Sequence, residues 1–357
     1  MIKKYKVILE NTRKAIQIMV RISDIAKNMQ LSEATVSNAL TGKGRMKQET
    51  RDAVLACASR MGYQSRPRQA ASERGKLIII AESLCFFVPD MISGALRAAG
   101  REGFTPPVYS LQMNEKVETW SPDVELLNRM VMELLDSIDY KIAGILFLSQ
   151  YARKMDGLLS GLSIPVVSVF CTREDGGIFV HYDDHQGAYL AVNALLKSGC
   201  RKIAMVSGPI DSIGMYERSC GYQQALVERG IPYDPRLVRI GDWNRRNGHE
   251  LTVKLLEEGM GIDGIFAQSD EIGIGVLKAV KEKGLRIPED ISVVGFDNSF
   301  LCRASEPLLS SVMPPFGQMG SRALSQLLKL VEVKNITVDN SLIPCTLVHR
   351  ESTKSAV

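Results

Sequence analysis

Six apolar runs punctuate the chain between residues 77 and 296: LIIIA (77–81), IAGILFL (142–148), IPVVSVF (164–170), KIAMVSG (202–208), DGIFAQS (263–269) and ISVVGF (291–296). Between them stand amphipathic segments such as DMISGALRAAG, QGAYLAVNALLKSG, CGYQQALVERG and IGIGVLKAVKEKG. Each closes on the glycine expected at a helix C-terminus. Apolar strands separated by helices spell parallel βαβ units, because a parallel sheet is covered on both faces. The runs exceed what one compact sheet needs. The expectation for residues 77–357 is therefore an α/β body of two doubly wound parallel-sheet lobes. Ligands in such folds bind outside the carboxyl ends of strands, and a cleft between lobes is a favoured place.

The body carries no catalytic constellation. It has no P-loop, no GxSxG and no HExxH, and the glycines of SGPIDSIG and VVGFDN do not form GxGxxG. His181 and His185 in VHYDDHQG flank two Asp residues, but a polar turn at a strand end explains that pattern as well as a metal would. No enzyme activity, metal or other cofactor is expected. The seven cysteines (57, 85, 171, 200, 220, 302 and 345) are odd in number and never form CxxC, which fits reduced thiols in a cytoplasm. No apolar run approaches the roughly 20 residues of a membrane span.

Charge separates the chain into two parts. Residues 1–76 hold 16 Lys and Arg against 6 Asp and Glu, although the net charge of the whole chain is only +4. A basic head on an acidic body points to a polyanionic partner for the head. From Arg21 to Tyr63 that head reads as three short helices. ISDIAKNM places Ile22, Ile25, Ala26 and Met29 at helical spacing, and QETRDAVLACASRMGY does the same for Val54, Leu55, Ala58 and Met61, with Gly62 as a C-terminal cap. Between them lies LSEATVSNAL (31–40). Val36 and Leu40, with Leu31 ahead of them, form its inner side, and Ser32 is its expected N-cap.

The outer side of that segment carries Ser32, Glu33, Thr35, Ser37 and Asn38. Such residues are indifferent helix formers, because their side chains compete for backbone hydrogen bonds. They suit a helix that enters the major groove, where short side chains let the backbone approach and supply donors and acceptors. Lys43, Arg45, Lys47 and Arg51 follow at once and can hold flanking phosphates.

Residues 21–63 resemble the DNA-binding head of the lactose-repressor-type (LacI/GalR) transcription regulators. The elements DIA, ATVS, TG, ETR and GY stand at that family's spacing. The resemblance implies that Glu33, Ala34 and Asn38 read bases. It implies that Ser32, Thr35, Ser37 and Tyr63 contact or support contact with the DNA backbone. The linker QSRPRQAASERGK (64–76) would be the family's hinge, with Arg66, Arg68 and Arg74 available to phosphates. In the family a leucine wedges from this hinge into the minor groove; here Ser72 stands there, so little bending is expected. Residues 1–20 precede the family's usual beginning and are expected to be an N-terminal extension or a mis-called start, because Met19 would make a natural start.

The body resembles the family's periplasmic-binding-protein-like core. By that resemblance Arg218 binds an effector through paired hydrogen bonds, Trp243 stacks on it and Asp297 accepts from it. Ser212 and Gly214 hold further contact positions. Ser269 replaces a more usual asparagine, Phe170 stands where an Asp is common, and Phe86 and Phe87 wall the pocket. Trp, Arg and Asp together suit a sugar, which has apolar C–H faces and a rim of hydroxyls.

The resulting expectation is a ligand-responsive regulator, a repressor in the first instance. Its partners would be double-stranded operator DNA, a carbohydrate effector and a second copy of itself in a homodimer. A solute-binding protein without DNA-binding activity is the competing reading. Such a protein needs a signal peptide and no basic head, whereas MIKKYKVILENTRKAIQIMV has no signal-peptide core.

Overall fold

The computed structural model describes residues 22–41, 46–61, 75–113, 123–333 and 338–354. Residues 1–20, Lys43, Arg45, Gly62, Tyr63, Arg66, Arg68, Ser72 and Arg74 lie outside the described residues. The chain separates into two compact units, Met1–Ala70 and Ala71–Val357.

The first unit contains α1 (Ile22–Met29), α2 (Glu33–Thr41) and α3 (Gln48–Arg60). Ile25, Ala26, Val36, Ala39, Val54, Cys57 and Ala58 form its core. Two expectations shift by one helical step. Ala39 is fully buried in α2 while Leu40 is only partly so, and Cys57 replaces Leu55, which is 45% exposed. At about 100° per residue, the stripe through positions 54, 57, 58 and 61 turns residue 55 outward.

The second unit begins with β1 (Lys76–Ala81), α4 (Val88–Arg101), β2 (Val108–Ser110), α5 (Val124–Asp136), β3 (Ile142–Leu148), β4 (Val166–Val169) and β5 (Ile178–Tyr182). It continues through α6 (Asp184–Lys197), β6 (Ile203–Ser207), α7 (Ile213–Val227), β7 (Val238–Ile240), α8 (Arg245–Glu257), β8 (Gly264–Ala267) and α9 (Asp270–Glu282). It ends with β9 (Ser292–Phe296), α10 (Leu301–Ala304), β10 (Ser310–Met313), α11 (Phe316–Glu332), β11 (Ser341–Ile343) and β12 (Thr346–Val348). All six expected strands are present.

Two six-stranded sheets form, in the orders β11-β5-β4-β3-β1-β2 and β12-β10-β9-β8-β6-β7. The first is parallel throughout, and the second is parallel except where β12 meets β10. The two doubly wound lobes expected from the sequence are therefore the architecture. The chain passes between lobes three times, at Asp183 after β5, at Pro314 and Pro315 after β10, and at Pro344 between β11 and β12. Gly199, Gly230 and Gly284 follow α6, α7 and α9 with positive φ, as helix ends require. Gly100 does not end its helix. It lies inside α4, and Gly103, at φ +79°, takes that role.

One close approach fixes the first lobe beside the cleft. A Cβ on Gly94 would come within 1.8 Å of the Gly317 carbonyl oxygen, and one on Gly320 within 1.9 Å of the Met91 carbonyl oxygen. Only glycine lets α4 and α11 touch backbone to backbone here.

Candidate functional site

In the first unit the surface of interest is α2. Ser32, Glu33, Ala34 and Asn38 are exposed, while Thr35 and Ser37 are half-buried. Val36 at 0% and Ala39 at 2% exposure anchor the opposite side. Ser32 caps the helix: its Oγ accepts from the Thr35 backbone N–H at 3.0 Å and lies 2.7 Å from Thr35 Oγ1. The exposed polar side thus costs little helix stability, because one of its hydroxyls satisfies an orphan N–H. Lys47 is exposed next to α3, and Arg51 is half-buried within it.

In the second unit the site is a cleft of about 1440 Å³ at the carboxyl ends of the strands. Arg218, Trp243, Asp297, Phe87, Phe170 and Ser269 all line it, as do Phe86, Ser212 and Gly214. The fold brings them together from separate places. Phe86 and Phe87 follow β1, Phe170 follows β4, Trp243 follows β7, Ser269 follows β8 and Asp297 follows β9.

Arg218 projects from α7 and is 5% exposed. Its Nε donates to Asp184 Oδ1 at 2.7 Å, its Nη2 to the Tyr182 hydroxyl at 2.8 Å, and its Nη1 to the Gln268 carbonyl. Its guanidinium carbon stands 3.7 Å from the Phe296 ring centroid and 5.5 Å from that of Trp243. Burial disfavours its charge, but Tyr182, Asp184 and Asp297 outweigh that and raise its pKa. A guanidinium has five N–H donors. Three are committed to neighbours, which fixes the plane of the fork.

Asp297 Oδ1 lies 3.9 Å from Arg218 Nη2. Burial drives the Asp297 carboxyl well above the usual carboxylate range, with Arg218 pulling the other way. A donor fork beside an acceptor at this spacing matches two neighbouring hydroxyls. Trp243 supplies a flat face, and its position depends on Gly208, where a Cβ would stand 2.3 Å from the indole. Ser269 and Ser212 are at once lining residues and N-caps. Their hydroxyls accept from Ile272 N–H at 3.2 Å and Met215 N–H at 3.4 Å, so each keeps its proton and one lone pair.

The opposite wall is aromatic. Phe87 and Phe316 stack at 4.3 Å with 6° between their planes, and both meet Phe170 edge-on at 86°. Four non-glycine lining residues have positive φ: Phe86 at 50°, Phe170 at 64°, Asp297 at 106° and Asn298 at 49°. Such conformations cost about 1–3 kcal/mol each and persist where the surroundings over-determine them.

The sequence reading did not single out Tyr182, Asp184, Gln268 or Phe316. The only signal was VHYDDHQG, which drew notice for its histidines. His181 instead stacks on Phe170, with Nδ1 2.7 Å from the Tyr182 carbonyl, and it is Asp184 that reaches the site.

A small helical unit with a polar outer helix, joined to two lobes around a ligand-sized cleft, defines a class: a ligand-binding body coupled to a nucleic-acid-binding head. Comparison with known proteins agrees. Residues 21–65 match the model for bacterial regulatory proteins of the lacI family, and residues 192–353 match that for the periplasmic binding protein-like domain. Catabolite control protein A of Priestia megaterium is 32% identical over 345 residues, covering 94% of this chain and 99% of that protein. The HTH-type transcriptional repressor CytR of Escherichia coli (strain K12) is 27% identical, covering 94% and 96%. Among solved structures, the lac repressor dimer bound to operator and the anti-inducer ONPF superposes with TM-score 0.66 at 22% identity, covering 94% of this chain and 100% of that one. The transcriptional regulator CelR–cellobiose complex gives 0.62 at 24%, covering 93% and 99%. The chain belongs to the lacI family of bacterial regulatory proteins and is a DNA-binding transcription regulator.

Proposed function

We propose that this protein is a repressor whose operator affinity is set by a small carbohydrate effector held between its lobes. It acts as a homodimer in the cytoplasm and has no enzymatic activity. The observation that carries the reading is the Arg218–Asp297 pair, at 3.9 Å and beside Trp243, in a cleft of a chain whose other unit exposes Ser32, Glu33, Ala34 and Asn38 on one short helix. In this reading residues 21–63 are the DNA-binding domain, 64–76 the hinge and 77–357 the effector-binding and dimerisation domain. Glu33, Ala34 and Asn38 read bases. Ser32, Thr35, Ser37, Lys43, Arg45, Lys47, Arg51, Tyr63, Arg66 and Arg68 hold the DNA backbone. Arg218, Trp243, Asp297, Phe87, Phe170 and Ser269 contact the effector.

Similar proteins support the reading of a sugar-responsive repressor. One is named a ribose operon repressor, 28% identical over 340 residues, and the CelR complex contains cellobiose. Among the described residues no helix is long and apolar enough to cross a membrane. One head spans only a few base pairs, so two heads on a near-palindrome are needed for specificity. The mechanism is linkage: an effector that favours one lobe arrangement changes the geometry of paired heads, and DNA reciprocally changes effector affinity.

The test is a thermal-shift screen of the full chain against sugars and nucleosides, followed by DNA binding with the best hit. A ligand of the native state raises the melting temperature by mass action. The reading requires a sugar or sugar derivative among the hits, and requires Arg218→Lys to weaken it while DNA binding by the free protein stays intact. Unaltered effector affinity in Arg218→Lys removes that residue from the site.

A further inference from the structure

The stretch VHYDDHQG straddles the first passage between the lobes. Tyr182 ends β5 in the first sheet, Asp183 crosses, and Asp184 opens α6, which packs on α7 and on β8, β9, β10 and β12 of the second lobe. The Tyr182 ring belongs to the first lobe. It is 2% exposed, with its centroid 5.8 Å from that of Phe170 and 5.7 Å from that of Phe316. The Arg218 guanidinium belongs to the second. Asp184 holds its Nε at 2.7 Å, the Gln268 carbonyl holds its Nη1, and its carbon stands 3.7 Å from the Phe296 ring centroid. Each group is thus fixed by its own lobe. The bond from Arg218 Nη2 to the Tyr182 hydroxyl, at 2.8 Å, joins the two. It forms only where the lobes take one relative placement. Both residues are buried, so no water replaces the bond at once when it breaks, and its charged donor makes it one of the stronger kind.

Two bonds beside it tie the first passage to the third. The Asp183 N–H donates to the Ile343 carbonyl at 3.0 Å, and the Cys345 N–H donates to Gln186 Oε1 at 2.9 Å. A lobe rotation that parts Tyr182 from Arg218 turns the chain at these residues, because the change in backbone angles falls on the few positions that connect the moving bodies.

We propose that Tyr182 is a positioning residue that latches the lobes through Arg218 and keeps the unlatched arrangement a minor state. Any ligand that bonds Arg218 acts on the group that carries the latch, and so biases one lobe arrangement against the other, as regulation requires. This extends the reading of Arg218 as the effector's anchor. The experiment is done without ligand, so it can fail while that reading stands.

Hydrogen exchange of the full chain, read by mass spectrometry, compares the wild type with Tyr182→Phe, which keeps the ring and removes the hydroxyl. The amides of Asp183 and Cys345 should exchange roughly ten- to hundredfold faster, the value of one hydrogen bond to a charged group. The amides of β3 and β8, inside the two sheets, should keep their wild-type rates, because only the local opening has become easier. Wild-type exchange at Asp183 and Cys345 overturns the proposal. An equal acceleration in β3 and β8 also overturns it, since that marks a residue that merely supports the fold. If Tyr182→Phe does not fold, Arg218→Lys takes its place, because an ammonium lacks the rigid fork that meets Asp184, Gln268 and Tyr182 together. The same local pattern is then required, and its absence overturns the proposal.

Discussion

The helix α2 and the interlobe cleft, the two surfaces we propose for recognition, are built in opposite ways. On α2 the reading side chains stand on the surface of a helix whose stability comes from Val36 and Ala39 on the other side. In the cleft the proposed polar anchor, Arg218, is buried at 5% exposure. Arg218 is bonded to Asp184, Tyr182 and Gln268 before any ligand arrives. A surface reader is replaceable without harm to the fold, so operator choice is free to vary. A buried reader is pre-organised, so its geometry is fixed and its removal disturbs the body as well as the ligand.

The largest effect expected from this contrast is at Arg218. Arg218→Ala leaves the buried Asp184 without the cation it bonds at 2.7 Å and should cost about 3–5 kcal/mol of stability as well as effector binding. Urea denaturation measures it, and a loss below about 1 kcal/mol would break the contrast, since surface positions change stability by only about 0.5 kcal/mol.

Next comes Gly208→Ala. Its Cβ would stand 2.3 Å from Trp243, so the indole must move. Overpacking of this kind costs about 1–3 kcal/mol. Effector affinity should fall, as is also expected for Trp243→Ala, while DNA binding by the free protein persists. Wild-type effector affinity in Gly208→Ala would mean that the indole is not the stacking face.

On the head, Asn38→Ala should lose about 1–3 kcal/mol at its cognate base pair and relax preference there, with the melting temperature of the head held. Lys47→Ala should weaken all sequences alike and flatten the salt dependence. A uniform loss from Asn38→Ala, measured by competition among operator variants, would count against its reading role.

The smallest effect is the pH dependence of the cleft. Burial raises the Asp297 carboxyl above its unfolded value of about 3.9. The native state therefore holds that proton more tightly. This stability is fully present below the unfolded pKa and is lost as pH rises through the folded one. Asp297→Asn, always neutral, should flatten part of the decline above pH of about 4, and Asp270, raised by burial too, should keep the rest. An unchanged stability profile would show that Asp297 does not titrate as described.

Much of this was legible in the sequence, for identifiable reasons. The six expected strands were readable because each is a mainly apolar run with most of its residues buried. β2, β7 and β11, at three residues each, are too short to show a period. The helix α11 went unnamed because Gly317 and Gly320 in its first turns weaken its local signal. Those same glycines let it touch α4. The cleft residues that follow strands were found from position and resemblance. Tyr182, Asp184 and Gln268 were not, because what matters about them is contact with Arg218 across 36, 34 and 50 residues of chain.

The central claim is that one equilibrium joins α2 to the cleft. The measurement that tests it most directly is the affinity for a selected operator with and without saturating effector, paired with effector affinity with and without operator. Coupling of about 1–3 kcal/mol, or roughly 5–150-fold, is expected, and the two factors must be equal. An effector that binds the cleft tightly while leaving operator affinity unchanged would contradict the account.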